Sequence, residues 1–300
     1  MTSPNPGSQS PLQAIISPDQ ARLLALMLDP NRPPEIRAEA GRQINQFGDP
    51  RPGVVDFNFG TDYWCKVPTG KFIYQDDSNA SIDYDYWIGK YPVTYAQYKT
   101  FIDDPNGYRN PQWWQGLNPQ GLEWGQKGPG IQKWPIANHP AENVSWYDAM
   151  AFCAWLNATL TFDQSLKSQG YSFRLPTERE WEKSARSTDG RKFPYRGRFV
   201  ATKSNTSETG INQTSAVGMF PDGASPYGIL DLCGNVMDWT LTEYRTMNSR
   251  NIDNVEARVL RGGSWNSPER YSRTAFRNSY LPAFRHSVIG FRIVCSVPVQ

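Results

Sequence analysis

The order of apolar and polar residues near the start of the chain predicts two helices. Ser17 followed by Pro18 is typical of a helix N-cap and the first helical position. The apolar face of this helix consists of Leu23, Leu24, Met27 and Leu28. A second helix is predicted from Pro34 to Phe47, because apolar residues recur at helical spacing and Gly48 ends the pattern. We expect a helical hairpin that serves as a linker or packing appendage.

Three capping boxes predict further helices in the middle of the chain. They begin at Thr94, Ser145 and Thr177, where each hydroxyl can accept from the backbone N–H three residues on. Short strands are expected near residues 72–74, 86–88, 258–261 and 290–295. The stretch from Asp104 to Pro135, rich in Gly, Pro, Asn and Trp, is predicted to be a long ordered loop. Loops of this length are usually functional.

Near the end of the chain the periodicity disappears. The segment from Tyr271 to Val288 follows neither the period of two of a strand nor the 3.6 of a helix. Arginines recur at positions 270, 273, 277 and 285, and the residues between them show no pattern. The flanking segments, 261–266 and 289–294, contain Gly, Trp and apolar residues and are expected to be a fixed scaffold.

Composition and charge restrict the function. The net charge of +2 gives no electrostatic case for nucleic acid or an anionic membrane. No apolar run reaches the roughly 20 residues of a membrane span, and the first residues lack the pattern of a signal peptide. Four cysteines, Cys65, Cys153, Cys233 and Cys295, form no CxxC pair, which argues against zinc. We expect reduced, buried thiols and a cytoplasmic protein.

Five segments resemble the formylglycine-generating-enzyme (sulfatase-modifying factor) family and occur in that family's order. They are Tyr86–Thr94, His139–Trp146, Arg174–Trp181, Gly234–Trp239 and Arg261–Trp265. The resemblance covers residues 54 to 297 and implies an α+β, C-type-lectin-related fold with a small mixed sheet, helices and much irregular structure. We expect a disordered tail over 1–16, the helical hairpin over 17–53 and this lectin-type domain over 54–300.

The resemblance also indicates which catalytic groups to look for. Formylglycine-generating enzymes use two cysteines after the Gly-Gly-Ser motif to bind copper, whereas here no cysteine lies between Cys233 and Cys295, and Ser272 stands in that region. Related sulfoxide synthases use a histidine cluster to bind iron, and this chain has only His139 and His286. We therefore expect no enzyme and no required cofactor. An active oxidase and a degenerate structural or signalling module remain alternatives.

The segment before Ile289 resembles the variable region of diversity-generating-retroelement target proteins, some of which use this fold. There, adenine-specific copying errors randomise Asn codons ending in C, which never yields Lys, Glu, Gln, Met or Trp. The positions predicted to vary, within a region of about 266–288, are Tyr271, Phe276, Asn278, Ser279, Tyr280, Leu281, Phe284, His286, Ser287 and Val288. The predicted scaffold of the site consists of Arg261, Gly262, Gly263, Ser264, Trp265, Arg273, Arg277, Arg285, Gly290 and Phe291. Ala283 and Ser267 fit either set.

The variable positions are rich in Tyr, Phe, Ser and Asn, as antibody paratopes are. We expect them to bind a protein or other macromolecule, with no role for nucleic acid or membrane insertion. Trp113, Trp114 and Trp124 either border this surface or, the favoured reading, pack beneath their loop. Asn235 and Asp238 offer oxygens to a structural calcium ion, although a structural turn is favoured there.

Overall fold

The computed structural model describes Pro6 and residues 16–60, 62–75, 78–161 and 163–299. The predicted tail over 1–16 lies outside these residues, apart from Pro6 and Ile16. The helices are α1 (Pro18–Leu28), α2 (Pro34–Phe47), α3 (Tyr95–Asp103), α4 (Pro119–Gln126), α5 (Trp146–Thr159), α6 (Gln164–Ser168) and α7 (Glu178–Arg186). The strands are β1 (Trp64–Val67), β2 (Gly70–Tyr74), β3 (Ser78–Ile82), β4 (Tyr86–Gly89), β5 (Ser172–Arg174), β6 (Met237–Glu243), β7 (Arg258–Arg261), β8 (Asn278–Tyr280), β9 (Ile289–Phe291) and β10 (Val294–Ser296).

The predicted helix starts are confirmed. The Thr94, Ser145 and Thr177 hydroxyls accept from the backbone N–H groups three residues on, at 3.3, 3.1 and 3.2 Å. In each box the side chain at the fourth position returns a bond to the N-cap backbone. The first helix also begins with a complete capping box at Ser17, and the second ends at Gly48. Local hydrogen bonding therefore fixes where these helices begin.

Three predicted elements differ from the structure. The supposed loop over 104–135 contains α4 and a 3₁₀ turn at Pro111–Trp114, each started by an Asn cap and a Pro. The single strand over 290–295 is interrupted, because the Arg292 side chain turns inward to Asp238 at 2.7 Å. The aperiodic segment contains β8, a short edge strand paired with β7.

Two four-stranded sheets and one hairpin make up the β structure of the described residues. The strand orders are β1-β4-β10-β5 and β8-β7-β6-β9, and β2 pairs with β3. Only the β6–β9 pair among these ladders is parallel, so the second sheet is mixed. The predicted α+β class with small sheets and much irregular structure is confirmed.

Aromatic side chains fill the space between α5 and the sheets. Phe152 of α5 lies 5.3 Å from Phe291 of β9 and 5.8 Å from Phe101 of α3, measured between ring centroids. Edge-to-face packing of this kind contributes beyond the area that it buries. Because Phe291 lies in β9, which begins directly after the aperiodic segment, this core fixes the segment's C-terminal end.

The helical hairpin packs on the lectin-type domain. Ile44 and Met27 form one apolar cluster with Met219 and Phe220. The buried Arg37 guanidinium donates to the carbonyls of Met27, at 2.9 Å, and Met219. These contacts join residues far apart in sequence, so the hairpin is part of the packed structure.

Replacing Ile44 with Ala tests whether the hairpin unfolds together with the domain. Ile44 is fully buried, so the change should lower the unfolding free energy by about 2–5 kcal/mol. Ile36→Ala in the same helix is the control, because Ile36 is 47% exposed and should change stability by less than about 0.5 kcal/mol. Urea unfolding followed by tryptophan fluorescence makes the measurement. A domain transition unmoved by Ile44→Ala would show that the hairpin unfolds separately.

Candidate functional site

The backbone of residues 271–288 is held by main-chain hydrogen bonds from buried elements. Trp146, Asn143 and Met237 donate to the carbonyls of Pro282, His286 and Val288 at 2.9, 3.1 and 2.8 Å. Thr274 donates to the carbonyl of Lys192 at 2.9 Å. These bonds use backbone atoms of the segment, so they form whatever side chains the segment carries.

Arg261 is the most connected scaffold residue at this surface. Its fully buried guanidinium donates to the carbonyls of residues 274, 275 and 276, at 2.5, 3.1 and 2.7 Å. It also pairs with Glu182 at 2.5 Å and lies 3.4 Å from Glu178, both on α7. The planar donor array of arginine suits this arrangement, because one side chain satisfies several backbone acceptors and two carboxylates.

Two further predicted scaffold arginines are also tied to buried carboxylates. Arg277 donates to both oxygens of Glu178 at 2.6 and 2.9 Å. Arg285 donates to both oxygens of Asp148 at 2.8 and 2.7 Å, and to the Tyr108 hydroxyl at 3.0 Å. Burial alone would lower the pKa of Arg285, but the Asp148 carboxylate outweighs burial and the pKa is raised. Both guanidiniums therefore stay charged and bidentate.

Arg273 differs from its neighbours. It is half-buried, and its Nε donates to the carbonyl of Arg270 at 3.0 Å, a bond within the same turn. No salt bridge connects it to a carboxylate in the described part of the chain. Its predicted role as scaffold therefore lacks the long-range contact that the other arginines make.

The Gly-Gly-Ser-Trp motif lies directly against the segment. Gly263 has φ +69°, and a Cβ there would lie 2.3 Å from the Oγ of buried Ser272, so glycine is required. The Trp265 indole donates to the carbonyl of Ser287 at 3.0 Å. Ser264 donates its backbone N–H to the Ser267 hydroxyl at 3.0 Å, which ties Ser267 to the scaffold.

None of the ten predicted variable side chains is buried. Tyr271, Tyr280, Leu281 and Phe284 are 39, 37, 63 and 37% exposed, and His286 is also exposed. The half-buried members are Phe276, Asn278, Ser279, Ser287 and Val288. Of these, Val288 packs partly against the main core, as does Ala283. By contrast, the scaffold residues Arg261, Gly262, Gly263, Ser264, Gly290 and Phe291 are buried.

Six of these side chains meet around a shallow cavity of about 440 Å³. They are Tyr271, Phe276, Asn278, Tyr280, His286 and Val288, and Met237, Ser264, Asn266 and Ser267 complete the lining. Ser279, Leu281, Phe284 and Ser287 do not line it.

Aromatic rings define the edge of the cavity. The Tyr280 and Phe284 rings stack at 4.1 Å, and the His286 ring is nearly parallel to Phe284 at 6.2 Å. Tyr271 and Phe276 form a second pair at 4.9 Å. The arrangement places two aromatic pairs next to a lining of mixed polar and apolar side chains.

An aromatic patch next to this surface was not predicted. Trp134 meets Trp265 edge-to-face at 5.1 Å, and Ile131 is 89% exposed. The Asn143 side chain donates to the Ile131 carbonyl at 2.8 Å, while its backbone bonds His286, so the patch and the segment are adjacent. The tryptophan content of the loop was the available signal, but only long-range pairing reveals which ring reaches the surface.

The three tryptophans singled out in the sequence occupy different environments. Trp114 is buried, with its indole bonded to the Tyr108 carbonyl at 3.0 Å. Trp113 donates to the Asn106 carbonyl at 2.6 Å and lies partly against the core. Trp124 is half-buried beneath the Arg285 guanidinium, 5.3 Å from its ring centroid. Packing is the observed role, and Trp124 also contacts a residue of the candidate surface.

The groups considered for metal chemistry are engaged in structural contacts. Asn235 Oδ1 accepts from Ser215 N at 3.0 Å and Asp238 Oδ2 accepts from Arg292 Nε at 2.7 Å, whereas the buried Asp238 Oδ1 has no hydrogen-bond partner among the described residues. His139 is buried, and its Nδ1 lies 2.9 Å from the Thr214 hydroxyl. Burial, assisted by Arg42, lowers the pKa of His139 to about 3. Within the described residues, no three or more His, Cys, Asp or Glu side chains are placed to hold a metal ion.

The four cysteines are unpaired and buried, as predicted. Burial raises the pKa of Cys65 to about 11, and that of Cys295 to about 12. Thiols of this kind carry little thiolate at neutral pH and are unreactive.

Comparison with known proteins shows the family. The model of the sulfatase-modifying factor enzyme 1-like domain matches residues 59–297, so the chain belongs to this family. The chain is 29% identical over 294 residues to hercynine oxygenase of Mycolicibacterium smegmatis, covering 82% of this chain and 63% of the relative. It is 32% identical over 197 residues to inactive C-alpha-formylglycine-generating enzyme 2 of Bos taurus, covering 60% of this chain and 58% of that protein. The chain thus spans less than two thirds of the length of these relatives.

A solved structure has the same fold. Treponema denticola variable protein 1 superposes with a TM-score of 0.55 and 23% identity, covering 77% of this chain and 94% of that protein. In the described residues, no helix has the length and apolar character needed to cross a membrane.

The prediction that the chain is not an enzyme is wrong by these comparisons. The curated relatives that it matches include hercynine oxygenase and formylglycine-generating enzyme, both named for their activities. The prediction rested on missing cysteine and histidine ligands, and the matches to named enzymes overturn it.

Truncating Tyr280 and Phe284 together should leave the fold intact. Both rings are more than a third exposed, so the double Ala variant should lose at most the stacking contribution, less than about 1.5 kcal/mol. Phe291→Ala is the control, because Phe291 is fully buried and its loss should cost about 3–5 kcal/mol. Thermal melts of the three proteins make the comparison. Equal losses would place Tyr280 and Phe284 in the core.

Stability should fall in mild acid because of His139. The folded state holds this imidazole neutral, whereas the unfolded chain binds a proton near the ordinary pKa of 6.5, so stability declines as pH falls from 6.5 towards 3. At pH 5 the loss is about 2 kcal/mol.

The control is His139→Gln, which has no titrating group. Urea unfolding at pH 7 and pH 5 should show this additional loss of unfolding free energy in the wild type and not in the variant. Identical pH dependence in the two proteins would contradict the assignment, as would an NMR titration of His139 with a midpoint above pH 5.5.

Proposed function

We propose that this protein displays a ligand-binding surface, and that a diversity-generating retroelement changes the codons of its variable side chains. The observation that carries the proposal is the separation of roles within one segment. The ten side chains at the predicted variable positions are exposed or half-buried, while the segment's backbone is held by scaffold side chains and main-chain donors. A surface that accepts arbitrary side chains has to be built in this way.

The chemistry of the surface favours a macromolecular ligand. Tyr271, Phe276 and Tyr280 line the cavity, and Phe284 stacks on Tyr280 beside it. Each aromatic side chain buried on binding contributes on the order of 1.5–3 kcal/mol, and a few such anchors usually dominate an interface. The cavity is shallow and open, so a protein loop or another extended surface fits it better than a small enclosed molecule.

The shared fold is consistent with this function. A protein named as variable, from Treponema denticola, uses the same scaffold. The buried, unpaired thiols fit a reducing compartment, which supports a cytoplasmic location as part of this proposal.

Sequencing the DNA around the gene tests the proposal. We expect a nearby reverse-transcriptase gene and a second copy of the coding segment for residues 266–288. The two copies should differ only where the template has adenine, at the codons of the ten variable positions.

The scaffold positions provide the matched control within the same alignment. Arg273, Arg277 and Arg285 lie within the repeated segment and should be identical in every copy, and Arg261 and Phe291 should be identical in every isolate. Absence of a repeat and of a reverse transcriptase would refute the proposal, as would differences that fall equally on scaffold and variable codons.

A further inference from the structure

A band of unpaired positive charge borders the proposed ligand surface. It consists of Lys192, Arg196, Arg198, Arg270 and Arg273, which are called the basic rim here. The first four are exposed and the last is half-buried. No ion pair joins any of the five to a carboxylate in the part of the chain that the structure describes.

The loop of residues 191–199 directs its cations outwards. Phe193 and Tyr195 are buried, with their rings stacked at 5.8 Å, and Phe199 packs on Phe193 at 5.5 Å. While these aromatic side chains pack inward, the neighbouring Lys192 and Arg196 side chains are exposed to solvent. The arrangement exposes charge and hides the apolar area.

This loop is bonded directly to the variable segment. Thr274 donates its backbone N–H to the Lys192 carbonyl at 2.9 Å, and its hydroxyl to the Arg191 carbonyl at 2.8 Å. Near the start of the variable segment, the Arg270 guanidinium lies 4.4 Å from the ring centroid of Tyr271. Tyr271 also lines the cavity, so Arg270 lies beside the cavity and the Lys192 end of the loop lies beside the segment that lines it.

Nearby carboxylates offset only part of the rim's charge. Asp189 pairs with Arg191 at 2.6 Å and also interacts electrostatically with Arg196. Glu208 accepts from the backbone N–H of Glu269 at 2.7 Å, and Glu269 is the exposed acid beside Arg270. Five cations therefore face few acids, on a chain whose net charge is only +2. Such local excess attracts anionic partners and accelerates their association.

We propose that the basic rim recruits an acidic polypeptide segment of the ligand, which brings the ligand onto the variable surface. This inference rests on the proposed function, because it assigns a charge class to the partner of that surface. A polypeptide fits better than a nucleic acid, because the chain's net charge is only +2, whereas nucleic-acid-binding domains are strongly basic.

The experiment measures binding of fluorescent poly-L-glutamate to the full chain by fluorescence anisotropy. The test variant is Arg196→Glu/Arg198→Glu. The matched control, Arg109→Glu/Lys167→Glu, changes the net charge equally at exposed cations outside the rim, which also lack ion pairs within the described residues. We expect the rim variant to bind about tenfold more weakly or worse, and the control to stay within about twofold of the wild type. Raising NaCl from 50 to 300 mM should weaken wild-type binding, because exposed charges are screened.

Three results would overturn the proposal. They are no binding of poly-L-glutamate at 50 mM NaCl, equal weakening by the rim and control variants, and tighter binding of a thymidine 20-mer than of poly-L-glutamate of equal charge. The last result would identify a nucleic-acid surface instead. The Tyr280→Ala/Phe284→Ala variant should bind poly-L-glutamate as the wild type does. Failure of the rim is thereby distinguished from failure of the variable surface, which the DNA repeat tests.

Discussion

The buried pairing of Arg261 with the carboxylates of α7 is the contact on which the candidate surface depends. The guanidinium bonds Glu182 on one side and the backbone of residues 274–276 on the other, so a rigid helix dictates where that backbone lies. Glu178 of the same helix holds Arg277. Removing one partner of a buried pair typically costs about 3–5 kcal/mol, because the other charge is left desolvated. Helix α7 and the segment are therefore one structural unit.

Polar networks of this kind compensate for the scarcity of regular structure. Long irregular stretches leave backbone carbonyls without ladder partners, and each buried one needs a donor. Arg292, fully buried, supplies donors to the carbonyls of Gly89, Leu230 and Asp231 while its charge is paired with Asp238. In this fold, buried arginine side chains donate the hydrogen bonds to loop carbonyls that neighbouring strands would donate in a sheet.

The sequence predicted features that local bonding determines and missed those that depend on distant partners. Capping boxes lie within four residues, so the starts at Thr94, Ser145 and Thr177 were readable. Strand β8 was missed because its pairing with β7 leaves no periodic pattern in its own residues. The arginines were recognised as scaffold, but their partners were not, since Arg277 and Glu178 lie 99 residues apart. The Trp134–Trp265 patch and the basic rim likewise arise only from folding.

The anchoring of residues 271–288 through main-chain atoms has a consequence for how the protein can evolve. Most proteins lose stability when their binding residues change, and their free energy of unfolding is only about 5–15 kcal/mol. Here the donors from Trp146, Asn143 and Met237 contact carbonyls that every amino acid possesses. Under the proposed function, stability depends on main-chain atoms and specificity on side-chain atoms of the same residues. Successive changes of side chain at these positions would then leave the main-chain hydrogen bonds in place.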